Sequence, residues 1–314
     1  MKSSKREKTP KNPTEKTNED RLVILGSKGG PAIRPGGPSP TSCLLEIAGR
    51  TCVIDCGLGV TRGLVEAGVT LKDLDLIFIT HMHSDHMLEL GPLLHTAWTT
   101  GFQTKVTVFG PEDLKDYWDG FLASMRYDID LRIEDEGRLD LRDLVDIRVI
   151  EAGRVIEDGA LDLTGGDLRV SALRVDHPPV VDCFALRFEV EDENGNWSVV
   201  FGADTAFFPP LAEFSSGADI LVHEAMLEHG VDRIVEITGY GERLRQHLMA
   251  SHTLAPKAAE IAALAKTQHL VLNHLIPADL PGFEEQDWLD ACAPQFKGKT
   301  TVGFDGLTIS RERS

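Results

Sequence analysis

Short apolar runs separated by polar, turn-rich stretches dominate the chain from Arg21 onward. They fall at 22–25, 43–54, 74–79, 106–109, 168–175, 183–190, 198–201, 220–222, 270–272 and 301–309. Their length and β-branched content predict strands. Helical spacing of apolar residues replaces this pattern at 61–67, 87–99, 111–125, 244–249, 255–266 and 283–292. Helices are inserted between groups of strands rather than after each one. That arrangement disfavours a regular parallel α/β sheet and predicts two mostly mixed sheets with helices outside. The opening segment, residues 1–20, is Lys, Glu, Thr, Asn and Pro with almost nothing to bury, and reads as a disordered tail.

Composition narrows the class. At 314 residues and 42% hydrophobic, the chain can bury a sizeable core. It shows no apolar run long enough for a membrane span and no signal-peptide core at its amino terminus, so a soluble cytoplasmic protein without membrane partners is expected. Net charge is −18, and the basic tail leaves the remainder near −20. Such a field repels nucleic-acid backbones unless a local basic patch intervenes. Five cysteines without CxxC spacing suggest neither a disulfide framework nor a thiolate zinc site. The segment 27–42, SKGGPAIRPGGPSPTS, lacks the Gly-Lys-Ser/Thr ending of a P-loop. It reads as a turn-rich connector, with a substrate-facing loop as the alternative.

The chemistry concentrates after the apolar run LDLIFIT, in Thr80-His81-Met82-His83-Ser84-Asp85-His86. Four ligand-type residues in six, at a strand end where the backbone turns, can present two imidazoles one way and a carboxylate with an imidazole another. One tight turn then serves two metals, and such ligands suit zinc and comparable transition ions.

This HxHxDH segment resembles the signature of the metallo-β-lactamase superfamily, and the resemblance extends over nearly the whole chain from about Arg21. It implies an α+β fold, a four-layer αβ/βα sandwich of two mixed β-sheets flanked by helices, with 21–314 as one hydrolase domain. Val53-Ile54-Asp55-Cys56-Gly57 resembles an earlier element in which Asp55 supports the metal ligands without binding metal. His177, Asp204 and His274 resemble the later ligands. The implied set is His81, His83 and His177 for one divalent ion, Asp85, His86 and His274 for a second, and Asp204 bridging them. Zinc is the expected metal, with manganese or iron as alternatives. Leu221-Val222-His223-Glu224-Ala225 and Ala250-Ser251-His252-Thr253 are similar to the ribonuclease Z and arylsulfatase branch. There the histidine matching His252 acts on the scissile group without being a standard ligand, and His223 and Glu224 are expected to support the site. His95, His229, His247 and His269 match nothing and are read as structural or exposed.

Departures refine the expectation. Asp204 stands where penicillin-hydrolysing members mostly carry cysteine, and His83 where redox di-iron members carry glutamate, so antibiotic hydrolysis and oxygen chemistry are disfavoured. Residues 101–176 are acidic and show no counterpart of the transfer-RNA-holding arm of ribonuclease Z. The expected function is therefore hydrolysis of a small ester, whether a phosphodiester, a sulfate ester, or a carboxylic ester or lactone. A metal-bridging hydroxide would attack, Asp85 would orient it or take its proton, and His252 would protonate the leaving oxygen. The aromatics Trp98, Phe102, Tyr117, Trp118, Phe121 and Tyr127 are candidates to roof the pocket, with core packing as the alternative. Two other readings stay open. One is a transfer-RNA 3′-processing endonuclease, which calls for a Lys/Arg cluster where the sequence shows only scattered Lys28, Arg34 and Arg126. The other is a non-catalytic metal-binding or sensing module. The resemblance also allows a homodimer.

Overall fold

The computed structural model describes residues 19–156 and 168–311, so most of the segment read as a tail lies outside the described residues. Two seven-stranded sheets form the centre. The first runs β14 (Thr308–Ser310), β1 (Arg21–Gly26), β2 (Ser42–Ile47), β3 (Arg50–Ile54), β4 (Leu76–Phe78), β5 (Val106–Gly110), β6 (Val145–Val149). The second runs β13 (Lys299–Val302), β12 (His269–Ile276), β11 (Ile220–Met226), β10 (Gly195–Phe201), β9 (Phe184–Asp192), β8 (Arg169–Arg174), β7 (Gly153–Ile156). Each mixes parallel and antiparallel pairings.

The strands read as continuous apolar runs because both faces are buried. In β1, Leu22 and Ile24 face the opposite sheet, while Val23 and Leu25 face outer helices. The inter-sheet layer is closed by Phe78 from the first sheet against Phe188 from the second, edge to face at 5.0 Å between centroids. Helices α1 (Val60–Glu66), α3 (Leu90–Thr99) and α4 (Leu114–Glu136) cover the first sheet. The second is covered by α6 (Pro210–Phe214), α9 (Ala255–Ala265) and α10 (Glu285–Cys292). Helix, sheet, sheet, helix is the expected four-layer order. No described helix is long and apolar enough to cross a membrane.

Several boundaries differ from the sequence reading. The run 43–54 is a hairpin, because Ala48 and Gly49 both adopt positive φ, 52° and 71°, the geometry of a two-residue turn. The run 301–309 also splits, sending β13 to one sheet and β14 to the other. Helix α4 continues past Met125 to Glu136 on a polar face laced by Asp128–Arg132–Glu136 ion pairs, which carry no apolar signal. Strands β6 and β7 and helix α7 (Glu228–Thr238) were not anticipated. The α7 sequence is rich in β-branched residues and holds a glycine in its first turn, so propensity argues against it. It forms by packing with α8 (Glu242–Ser251) as a hairpin on Met226 and Ile276.

Candidate metal centre

Strand ends deliver the chemical groups, and strained backbone aims them. Asp55 follows β3 with φ 62°, Ala203 precedes Asp204 with φ 56°, and His274 has φ 42°. These are three of the five non-glycine residues in the left-handed region among those described. Such conformations persist where the surroundings over-determine them, commonly at functional sites. His274 does not follow its strand, as the sequence suggested, but interrupts it. The β11–β12 register passes from Glu224↔Asn273 to Ala225↔Leu275, leaving His274 as a bulge that turns its ring into the site. Gly29 passes close by: a Cβ there would lie 2.8 Å from the His274 ring.

All seven expected ligands meet at this edge. His81, His83 and His177 place ligand atoms within 4.8 Å of one another, as do Asp85, His86 and His274. His177 Nε2 is 3.1 Å from His83 Nδ1, and His274 Nε2 is 3.4 Å from Asp85 Oδ2. Asp204 sits between the groups. Its Oδ2 lies 3.0 Å from His274 Nε2, 3.4 Å from His86 Nε2, 3.9 Å from His81 Nε2 and 4.0 Å from His177 Nε2.

The opposite nitrogens of His86, His177 and His81 are occupied by the protein. His86 Nδ1 bonds Asp55 Oδ2 at 2.8 Å, and His177 Nδ1 donates to the Ser251 carbonyl at 2.8 Å. Thr80 contacts His81 Nδ1 at 3.1 Å while its amide and hydroxyl donate to Asp55. Asp55 thus stands behind the cluster, bonded to His86 and Thr80. These bonds fix which nitrogen offers a lone pair to the centre. His252 Nδ1 bonds Glu224 Oε2 at 2.8 Å, and Glu224 Oε1 accepts the Thr205 amide at 2.5 Å. Burial opposes charge on His252, but the Glu224 carboxylate outweighs it and raises the pKa. His223 lies behind, its Nδ1 on the Glu224 carbonyl. His252 also comes within ligand-sharing distance of His177 and Asp204.

Comparison with known proteins identifies the family. A family model described as anti-Pycsar protein Apyc1 matches residues 22–273. Ribonuclease Z of Mycobacterium marinum is 31% identical over 287 residues, covering 90% of this chain and 96% of that protein. The chain belongs to the Apyc1 family of ribonuclease Z-like metallo-β-lactamase-superfamily hydrolases. Two solved structures share the fold. The metallo-β-lactamase fold protein YhfI of Bacillus subtilis has a TM-score of 0.65 at 20% identity, covering 94% of this chain and 100% of its own. Human tRNase Z, short form, has 0.61 at 18% identity, covering 92% and 98%.

In this hydrolase the donor set fits divalent metal. The buried Nε2 atoms of His81 and His86 have no hydrogen-bond partner, which is costly unless a cation takes their lone pairs. Charge balance agrees. Burial disfavours a charged His86, yet the facing Asp204, Asp55 and Asp85 carboxylates raise its pKa well above the ordinary value. Burial likewise disfavours ionised Asp204, but His274 and His86 hold it well below the carboxylate range. The centre concentrates negative charge that a metal cation compensates.

A cavity of about 410 Å³ opens from the centre. Its roof is not the aromatic stretch: Trp98, Phe102 and Trp118 are buried in the helical layer of the first sheet, and Tyr127 is 81% exposed elsewhere. The α7–α8 hairpin supplies the roof instead, through Ile234, Thr238, Tyr240, Leu244 and Leu248. Loop 27–42 faces the cavity, the alternative given for it above. Lys28 and Arg34 are not scattered but share this wall, both against Asp279. His247, read above as structural or exposed, lines the cavity one helical turn before Ser251. Only its i, i+4 spacing to Ser251, next to a flagged histidine, signalled it. Residues 101–156 fold into α4, β5, β6 and β7, with no arm among the described residues.

Asp55→Ala removes the carboxylate behind His86 and Thr80. It should lower metal affinity about 10- to 100-fold while the fold survives, measured by competition with a chromophoric chelator alongside circular dichroism.

Proposed function

We propose that this chain hydrolyses a small phosphodiester with two divalent ions, zinc first among the candidates. His81, His83 and His177 would hold one, Asp85, His86 and His274 the other, with Asp204 shared. The observation that carries the reading is the Asp204 carboxylate, within 4.0 Å of ligand nitrogens from both groups, at the mouth of a cavity of small-molecule size. When bound, such ions polarise the phosphoryl oxygens and make water acidic enough to attack at neutral pH. Asp85 Oδ2 is oriented by the Gly30 amide at 2.8 Å and serves as acceptor for the proton of the attacking water. Glu224 holds His252 by Nδ1, which leaves Nε2 to give its proton to the departing oxygen as the phosphorus–oxygen bond breaks. Lys28 and Arg34 on the cavity wall favour an anionic ester over a carboxylic ester or lactone.

The ribonuclease Z relatives support a second reading, cleavage of an RNA phosphodiester. Against it stand the net charge of −18 and the α7–α8 roof, which narrows the approach for a folded polyanion.

His252→Ala should lower turnover of an aryl phosphodiester by about 10² to 10⁴ with metal content unchanged, whereas His83→Ala should lose metal as well as activity. Loss of an ion from His252→Ala would make it a ligand. Turnover of bis(4-nitrophenyl) phosphate should exceed trimming of a precursor transfer RNA at both low and moderate salt, with or without residues 1–20. Efficient RNA trimming that falls steeply with salt would put the RNA reading first.

A further inference from the structure

Three charged side chains on the cavity wall take no part in the proton transfers described above. Arg34 Nη1 donates to both oxygens of Asp279 at 2.7 Å. Lys28 approaches the same carboxylate, Nζ to Oδ2 at 3.8 Å, and donates to the Gly29 carbonyl at 3.1 Å. Asp279 lies beyond β12, while Lys28 and Arg34 come from the loop after β1, so the trio joins segments nearly 250 residues apart.

Arg34 alone would satisfy Asp279. The second cation therefore needs a reason, because the Lys28 side chain is only 6% exposed and burying an ammonium is costly. Burial does lower its pKa, with Asp279 acting in opposition. Two cations on one carboxylate leave one positive charge uncompensated. Among the described residues, Arg34 Nε and Nη2 make no hydrogen bond, and the arginine side chain is 34% exposed and lines the cavity. The facing roof is largely apolar, through Ile234, Leu244 and Leu248, and contributes no compensating charge. The other carboxylates on the wall, Asp85 and Asp204, belong to the ligand set.

We propose that Lys28, Asp279 and Arg34 form a charge-selecting clamp. Asp279 positions the Arg34 fork, Lys28 cancels the charge of Asp279, and the free edge of Arg34 binds an anionic oxygen of the phosphodiester substrate. This rests on the phosphodiester reading above and adds to it the residues that set specificity. The division of labour is specific. Removing Lys28 leaves Arg34 and Asp279 as a neutral pair in the same place, so affinity for an anion falls although no direct contact is lost. Removing Arg34 loses charge and contact together.

The test is binding, independent of turnover. Diphenyl phosphate is titrated calorimetrically into metal-loaded wild-type protein and into Arg34→Gln, Arg34→Lys and Lys28→Met. The dissociation constant should rise about tenfold in Arg34→Gln and Lys28→Met, the scale of one screened charge. Arg34→Lys should recover most of the loss, and metal content and the folded circular dichroism spectrum should be retained in both Arg34 variants. Should Lys28→Met fail to fold, the Arg34 pair still decides. Unchanged affinity in Arg34→Gln, or an equal loss in Arg34→Lys, overturns the clamp. Clamp-dependent binding without turnover of bis(4-nitrophenyl) phosphate would support the clamp and defeat the phosphodiesterase reading.

Discussion

The buried Asp204 carboxylate is the constraint on which the rest of this structure depends. It is 2% exposed and ringed by four imidazoles from three separate segments. An ionised carboxylate in such a place is costly unless positive charge surrounds it. The chain meets that cost by convergence: β4, β8, β10 and β12 each release a histidine or aspartate at one edge of the two sheets. The carboxylates of Asp55 and Glu224 then hold rings from behind, so orientation is fixed by hydrogen bonds rather than by the ligands alone.

The sandwich makes this precision possible. Side chains on both faces of each sheet are buried, one face in the inter-sheet layer and the other under helices. Packing of that density resists deformation, and it holds Asp55, Ala203 and His274 in backbone conformations that an open loop would relax. The α7–α8 hairpin differs in kind. It rests on a small separate apolar cluster, with Met226 and Ile276 beneath it, and turns at Gly239 and Gly241.

Much of this was legible in the sequence, for physical reasons that also mark where legibility ended. Thr80 to His86 announced itself because four ligand-type residues follow a buried strand, and Asp55, His177, Asp204 and His274 followed from resemblance in order and spacing. Strands buried on both faces gave strong apolar runs. The edge strand β6 is half exposed, and α7 owes its helix to tertiary contact, so neither left a periodic trace. The His274 bulge was invisible because it is a register shift between two strands. Lys28 and Arg34 escaped because their meaning lies in the long-range neighbour Asp279. The aromatics after the metal segment had two readings; the core took all but Tyr127, which is exposed.

If Asp204 organises a paired site, metal stoichiometry reports it most directly. Elemental analysis of wild-type protein and of Asp204→Ala, each purified gently and saturated with zinc or manganese, should give two ions per chain in the first and at most one in the second. One ion or fewer in the saturated wild type, or two retained in Asp204→Ala, would contradict the shared carboxylate and the mechanism built on it.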